Sequence, residues 1–323
     1  MGNCCSSDAQ KDAPTALEPT VTQKRAHLTM NMETSSSITD SHAPQGSTAV
    51  QVAEMNSLGS TVEEAERRCK PFSFDTYTKV EFAGLPVLGP FKYSNSATYK
   101  GQYKNGQRHG KGRQVMAEGS CYDGYWVNDM RNGYGRLIHA NGDVYTGEWV
   151  NDSAEGKGEL VHLGGSTYVG DWKADKQSGV GMEKLADGSV YEGQYQNSLQ
   201  HGRGIFTYAD GSKYDGDLVK NNMEGKGLYT WSDGKSYNGE WKNNQMNGKG
   251  VFSFPDSRKY VGEYLADKKH GYGEFFWADG RIYKGTWVNG KQHGEGYFKN
   301  KQGVEGQGTW KDGVQMEWSG SSK

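Results

Sequence analysis

Residues 122–144 read YDGYWVNDMRNGYGRLIHANGDV, and this 23-residue stretch decides the fold because the chain repeats its plan nine times. Counted from its first tyrosine, the stretch carries glycine at positions 3, 12 and 14 and tryptophan at position 5. Glycine fills those three positions in every repeat, so the register never slips. The first position is tyrosine throughout, at Tyr99, Tyr122, Tyr145, Tyr168, Tyr191, Tyr214, Tyr237, Tyr260 and Tyr283.

The spacing within each repeat predicts two β-strands. Side chains of a strand alternate between its faces, so positions 1, 3 and 5 share one face, as do positions 12, 14, 16 and 18. This face interleaves large rings with glycines, and a glycine leaves bare backbone on which a neighbouring ring can lie flat. Turn dipeptides join successive repeats, at Asp187-Gly188, Asp210-Gly211, Asp233-Gly234 and Asp279-Gly280. Each repeat is therefore predicted to be a β-hairpin.

The motif Tyr-x-Gly-x-Trp, followed by Gly-x-Gly and then by Asp-Gly, resembles the MORN repeat (membrane occupation and recognition nexus). The resemblance covers residues 99–305 as nine full repeats, with partial repeats at 82–98 and 306–323 that resemble end caps. It implies an all-β fold, an elongated single twisted antiparallel sheet of consecutive 23-residue hairpins. Leu218 at position 5 and Ser257 at position 21 depart from the pattern without breaking the fold.

The composition excludes several classes of protein. Glycine accounts for 47 of 323 residues, yet 20 Tyr, 10 Phe and 9 Trp argue against full disorder. No stretch approaches 18 consecutive apolar residues, so we expect no transmembrane helix. A net charge of −2 and a pI of about 6.5 lack the basic character of nucleic-acid-binding proteins. The four cysteines show no metal or disulfide spacing, which indicates a reducing, intracellular compartment.

The amino-terminal part of the chain differs from the repeats. Residues 8–70 hold no aromatic residue and are rich in serine, threonine, glutamine and alanine. Such a segment cannot bury enough apolar surface to order itself, so we predict a mostly disordered linker over residues 8–81. Within this linker, the stretch from Ser60 to Arg68 favours two helical turns, with Ser60 or Thr61 as the cap.

Residues 1–7 carry the pattern of an acylation signal. Gly2 and Ser6 match Met-Gly-x-x-x-Ser/Thr, the N-myristoylation motif. One myristoyl chain holds a membrane only marginally, so stable anchoring needs a second signal. Cys4 and Cys5 supply that signal as palmitoylation sites, and we expect dual acylation. The alternative is that Gly2 is merely a small second residue.

Signals for catalysis are sparse. No Gly-x-Gly pair continues as Gly-x-Gly-x-x-Gly, and no stretch matches the full Gly-x-x-x-x-Gly-Lys-Ser/Thr loop, so nucleotide binding lacks support. Four histidines share position 11, but successive repeats lie ~10 Å apart, which places them poorly to bind one metal ion. They are His109, His201, His270 and His293. We therefore expect no metal site, no cofactor and no enzymatic activity.

The predicted function is that of a non-enzymatic scaffold or adaptor. Its acyl chains would hold it on the cytoplasmic face of a plasma or ciliary membrane, where the sheet recruits partner proteins. The resemblance implies a grooved face that receives a helix or an extended segment. The aromatic residues expected to contact this partner are Trp126, Trp149, Trp172, Trp241 and Trp287. Packing within the sheet is the alternative role for the same rings.

Two other functions stay open. The resemblance extends to MORN proteins of radial spoke heads, which implies a structural part of a cilium, axoneme or basal body. Phosphoinositide or phospholipid binding by the repeats is the third function, with basic clusters at residues 108–111 and 268–270. Residues 71–323 hold 31 basic and 30 acidic side chains, so they attract anionic lipid weakly. The ends of the sheet also permit a homodimer.

Overall fold

The structure, a computed structural model, describes residues 60–74 and 82–319. Within these residues, helix α1 (Ser60–Arg68) is the one α-helix, and the other regular elements are β-strands. No helix in the described part of the chain is long and apolar enough to cross a membrane. The chain divides into two compact units between residues 199 and 200.

The first unit holds an antiparallel sheet in which each strand pairs with the next one along the chain. Its strands are β1 (Val87–Lys92), β2 (Thr98–Lys104), β3 (Gln107–Val115), β4 (Cys121–Val127), β5 (Met130–Ile138), β6 (Val144–Val150), β7 (Ser153–Val161), β8 (Thr167–Lys173), β9 (Lys176–Lys184) and β10 (Val190–Gln196). β1 precedes the first full repeat and pairs with β2, so residues 82–98 add one strand to this sheet.

The second unit is built in the same way. Its strands are β11 (Leu199–Thr207), β12 (Lys213–Val219), β13 (Asn222–Thr230), β14 (Ser236–Lys242), β15 (Gln245–Ser253), β16 (Lys259–Leu265), β17 (Lys268–Phe276), β18 (Ile282–Val288), β19 (Lys291–Lys299), β20 (Glu305–Lys311) and β21 (Val314–Trp318). Each full repeat supplies two strands, β2 to β19 in all. The predicted all-β class of consecutive antiparallel hairpins is confirmed.

Two kinds of turn connect the strands. Inside a repeat the turn has two residues; Asn128 and Asp129 form it between β4 and β5, with φ of 49° and 68°. Both residues lie in the left-handed region, which the short side chains of asparagine and aspartate tolerate. Between repeats the loop is longer. The N–H of Gly188 donates to the carbonyl of Leu185 at 3.0 Å, and Gly188 has a φ of 90°. The predicted Asp-Gly dipeptide therefore joins two repeats with its glycine in the left-handed position.

The glycines of positions 3 and 14 make room for the tyrosine of position 1. Gly124 and Gly135 lie opposite each other on β4 and β5. A Cβ added at either glycine would lie 2.2 Å from the Oη of Tyr122, closer than unbonded atoms can approach. The ring of Tyr122 therefore occupies the space above this pair, as the interleaving of rings and glycines predicts.

Candidate functional site

The nine repeat tyrosines are buried among the strands, each with 0% of its surface exposed. Their hydroxyl groups bond to the backbone three residues further along. Tyr122, for example, donates from its Oη to the carbonyl oxygen of Tyr125 at 3.1 Å. Burial raises the pKa of Tyr122 far above its usual value, so the phenol stays protonated and keeps donating. These side chains hold the repeats together.

The five tryptophans that the sequence places on the partner surface are also buried, each at most 3% exposed. Trp149 packs edge-to-face on Tyr122 and Tyr145, with ring centroids 5.4 and 5.1 Å apart. Its Nε1–H donates to the carbonyl oxygen of Gly135 at 3.2 Å. The same contacts recur at Trp126, Trp172, Trp241 and Trp287. With so little exposed surface these five rings offer a partner almost nothing to contact. Their contacts are those of packing within the sheet, the alternative role for the same rings.

The opposite face of the first sheet carries a helix. Cys121 and Ile138 form a cross-strand pair on β4 and β5, and each directly neighbours a residue of the ring-bearing face. Alternation therefore turns their side chains, with that of Val144 on β6, to the other side of the sheet. Val62 and Ala65 of α1 pack on these three residues and are 1% and 0% exposed. We call this side of the sheet, defined by Cys121, Ile138 and Val144, the helix-bearing face.

A hydrogen bond and two ion pairs fix the position of α1 on the sheet. The Nη2 of Arg68 donates to the carbonyl oxygen of Gly142 at 2.6 Å. The guanidinium of Arg113 lies between two carboxylates, 2.9 Å from Glu66 and 3.5 Å from Asp123. Burial raises the pKa of Asp123 to about 6, although Arg113 opposes the shift. The cluster therefore joins the helix to β3 and β4 through one shared cation.

Two phenylalanines extend the contact beyond the helix. Phe72 stacks on Tyr134, with ring centroids 6.0 Å apart and planes 12° from parallel. Phe74 meets Tyr125 edge-to-face at 5.6 Å, and the Oη of Tyr125 donates to the carbonyl oxygen of Phe74 at 2.9 Å. The guanidinium of Arg136 lies 5.5 Å from the ring of Phe72, within the range of a cation–π contact. Residues 60–74, called the docked segment from here on, thus lie on the sheet within the range predicted to be mostly linker.

Part of the same face is bare. Val169 on β8 pairs with Met182 on β9, and their side chains are 51% and 48% exposed. Val180, also on β9, is 56% exposed. Val169 directly follows Tyr168 of the ring-bearing face and pairs with Met182, and Val180 lies two residues from Met182 on the same strand. Alternation therefore turns all three side chains to the helix-bearing face. Val169, Val180 and Met182 are named the apolar patch.

The basic clusters considered for lipid binding are partly buried. Arg108 and His109 are 6% and 7% exposed, and Lys269 is 9% exposed. Lys268 is exposed, and Lys111 and His270 are half-buried, so half of the basic side chains in these clusters face away from the surface. The described residues also contain no group of three or more His, Cys, Asp or Glu side chains that could hold a metal ion. The predicted acylation sites, Gly2, Cys4 and Cys5, lie outside the described residues.

Sequence reasoning missed the docked segment as a site. The available signal was the spacing of Val62, Ala65 and Cys69, which places three apolar side chains on one side of a short helix. The aromatic residues Phe72 and Phe74 follow immediately. Nothing in this pattern tells which face of the sheet the helix covers.

Comparisons with known proteins agree with the repeat architecture. A family model of the MORN repeat matches nine segments of the chain, at residues 99–121, 122–144, 145–165, 168–190, 191–213, 214–236, 237–257, 260–280 and 283–303. The nine matched segments together cover more than half of the length of the chain. No curated protein sequence matches the chain.

Solved structures give weaker similarities. The TCP10 domain of Danio rerio CPAP, in complex with a peptide of Danio rerio STIL, is 12% identical, with 66% of this chain and 95% of that chain covered and a TM-score of 0.39. The TCP domain of Drosophila melanogaster SAS-4, bound to a proline-rich motif of Ana2, is 10% identical, with 61% and 96% covered and a TM-score of 0.31. Similarities of this size carry no argument about function.

Proposed function

Since the chain belongs to the MORN repeat family, we propose that it is a non-enzymatic scaffold or adaptor, anchored to a membrane by its acylated amino terminus, that recruits a partner protein through a sheet face. The docked segment carries this proposal, because the helix-bearing face holds a helix and two aromatic rings of the same chain. The contacts are apolar, ionic and aromatic. A face with this chemistry can hold a segment of another protein in the same way.

The apolar patch is the surface proposed for the partner. It continues the helix-bearing face, and single exposed aliphatic side chains become a binding surface when several of them adjoin. Glu159 on β7 pairs with Val169, and Glu192 on β10 pairs with Met182. Acidic side chains on both sides of the aliphatic pair favour an amphipathic helix with apolar residues on one side and lysine or arginine at its margins.

The substitution Val180→Asp tests the partner surface. Val180 is 56% exposed, so the change should leave the fold intact while it places a charge in the patch. We expect proximity labelling of the main neighbouring proteins in cells to fall about tenfold. A loss of about 1.4 kcal/mol in binding free energy has this effect. Lys176→Asp, at the exposed start of the same strand β9, is the matched control. Equal labelling by wild type and Val180→Asp would remove the patch from the proposal.

The substitution Gly2→Ala tests the membrane anchor. N-myristoylation requires a free glycine amine, so we expect a carboxy-terminal fluorescent fusion to move from the membrane fraction to the cytosol. Changing Cys4 and Cys5 together to serine should leave weak, reversible membrane binding, because one myristoyl chain is marginal. Asn3→Ala, at an unrestricted position of the motif, is the control. If Gly2→Ala stays on the same structure as wild type, the repeats set the location and the acyl anchor is not needed.

A further inference from the structure

Successive repeats are joined by a recurring side-chain link. The backbone N–H at position 10 donates to the side-chain oxygen at position 8 of the next repeat, at N···O distances of 2.7 to 3.2 Å. A backbone bond runs the other way between the same two residues, as from Asp152 N–H to the carbonyl oxygen of Arg131 at 3.0 Å. The linked pairs are Arg108–Asp129, Arg131–Asp152, Ala154–Asp175, Gln177–Ser198, Gln200–Asn221, Met223–Asn244 and Met246–Asp267.

Where position 10 is arginine, the aspartate that accepts from its backbone N–H also pairs with its guanidinium. The guanidinium carbon of Arg131 lies 4.4 Å from the ring of Trp149 and 5.7 Å from that of Tyr122. Its Nε donates to the Oδ1 of Asp152 at 3.2 Å. The side chain of Arg131 is 9% exposed, whereas that of Asp152 is 46% exposed. The acceptor thus lies at the protein surface, directly over a buried cation.

Lys269 takes the place of this arginine in the eighth repeat. Its Nζ lies 4.8 Å from the ring of Trp287 and 5.5 Å from that of Tyr260, the two rings that correspond to Trp149 and Tyr122. The residue is 9% exposed. Among the described residues, no atom forms a hydrogen bond with this Nζ. An ammonium buried among aromatic rings is therefore left without the acceptor that Arg131 has.

The missing acceptor is explained by the residue opposite. Position 8 of the next repeat is Gly290, so this link has no side chain to accept a proton. The backbone half is retained, because Gly290 N–H donates to the carbonyl oxygen of Lys269 at 2.9 Å. A Cβ added at Gly290 would meet no atom within 4 Å. The space that an aspartate, asparagine or serine side chain fills in the other links is therefore open here.

We propose that the junction between Lys269 and Gly290 is a binding site for a carboxylate, supplied by a free small acid or by an acidic side chain of a protein. A carboxylate oxygen at the place of the missing aspartate would accept from the backbone N–H of Lys269 and from its ammonium group. The geometry of seven filled links defines that place, and the inference is independent of the proposed function. Burial, with a contribution from Arg258, lowers the pKa of Lys269 to about 7, and a bound carboxylate would favour its charged form.

Acetate and acetamide distinguish a carboxylate site from nonspecific effects. We expect acetate to shift the amide resonances of Lys269 and Gly290 in the isotope-labelled full chain in a saturable manner. Acetamide at equal concentration and ionic strength should shift neither, because it has the same shape without the charge. Equal responses to both compounds would overturn the proposal.

In a second experiment, a blocked Gly-Asp-Gly peptide replaces acetate, with Gly-Asn-Gly as its control. Tighter binding of the aspartyl peptide indicates a protein source, and preference for acetate indicates a small acid.

The chain itself provides the matched variants. Gly290→Asp restores the filled link, and the backbone permits it because Asp152 has a φ of 69° at the equivalent position and Gly290 has 82°. We expect this variant to lose the acetate response and to melt about 2–4 °C higher. Lys269→Met places the residue that Met223 and Met246 supply at position 10 of other repeats, so it should fold and lose the response. A full acetate response in either variant would refute the site.

Discussion

Replacing Gly135 by alanine is expected to destabilise the first unit by about 3 kcal/mol, the upper range for overpacking of a close-packed interior. The new Cβ would lie 2.2 Å from the Oη of Tyr122 and 2.5 Å from its Cζ. The ring cannot move aside, because Tyr122 is 0% exposed and is held between Trp126 and Trp149 at centroid distances of 5.1 and 5.4 Å. Relief therefore requires β4 and β5 to separate.

Urea denaturation followed by tryptophan fluorescence, together with hydrogen exchange of the β4 and β5 amides, measures this loss. Repeat arrays gain stability from neighbour contacts, so exchange should rise first in these two strands. Gly164→Ala is the matched control, because its Cβ would meet no atom within 4 Å and its φ is not in the left-handed region. That variant should differ from wild type by less than about 1 kcal/mol. Equal stability of the two variants would mean that the ring does not require the glycine.

The fold was predictable because its determinants are local and periodic. Glycine recurs at fixed positions around each tyrosine, and two strands with a tight turn are the arrangement that lets every ring lie over a glycine pair. Asn128 and Asp129 illustrate the same point, since their residue types suit the left-handed turn that the structure shows. Each of these features involves residues within one or two repeats, so a single sequence contains them.

The contact between the docked segment and the helix-bearing face was not predictable, because it joins segments that are distant in the sequence. Val62 and Ala65 meet Cys121 and Ile138, residues more than fifty positions away, and no local pattern encodes that meeting. Alternation along a strand separates two faces but does not tell which one is covered. The tryptophans expected to contact a partner illustrate this, since the rings of positions 1 and 5 cover each other.

Lys269 shows the same limit on a smaller scale. Beside Lys268 and His270 it belongs to a basic cluster in the sequence, yet alternation turns it toward the rings of Trp287 and Tyr260. The absence of its acceptor becomes visible only when Gly290 is seen to occupy the position of an aspartate in other repeats. Comparison between repeats within one chain thus reveals a site that the residue types alone conceal.

Replacing Trp149 by alanine is expected to cost about 3–5 kcal/mol of stability, the range for truncating a large buried aromatic side chain. The change removes the ring from between Tyr122 and Tyr145 and leaves the carbonyl oxygen of Gly135 without its indole donor. Trp149→Tyr keeps a ring in place and should cost about 1 kcal/mol, the net value of the lost hydrogen bond. Tyrosine occurs naturally at this position of other repeats, as at Tyr195 and Tyr264.

This pair of variants separates packing from partner binding at the tryptophan row. If the ring packs within the sheet, Trp149→Ala lowers the urea midpoint strongly, whereas Trp149→Tyr lowers it only slightly and keeps the labelling pattern of wild type. If the ring instead met a partner, alanine would abolish labelling with little loss of stability, because an exposed side chain contributes little to folding. The 1% exposure of Trp149 and its bond to Gly135 favour the first result, which would leave partner contacts to the bare part of the helix-bearing face.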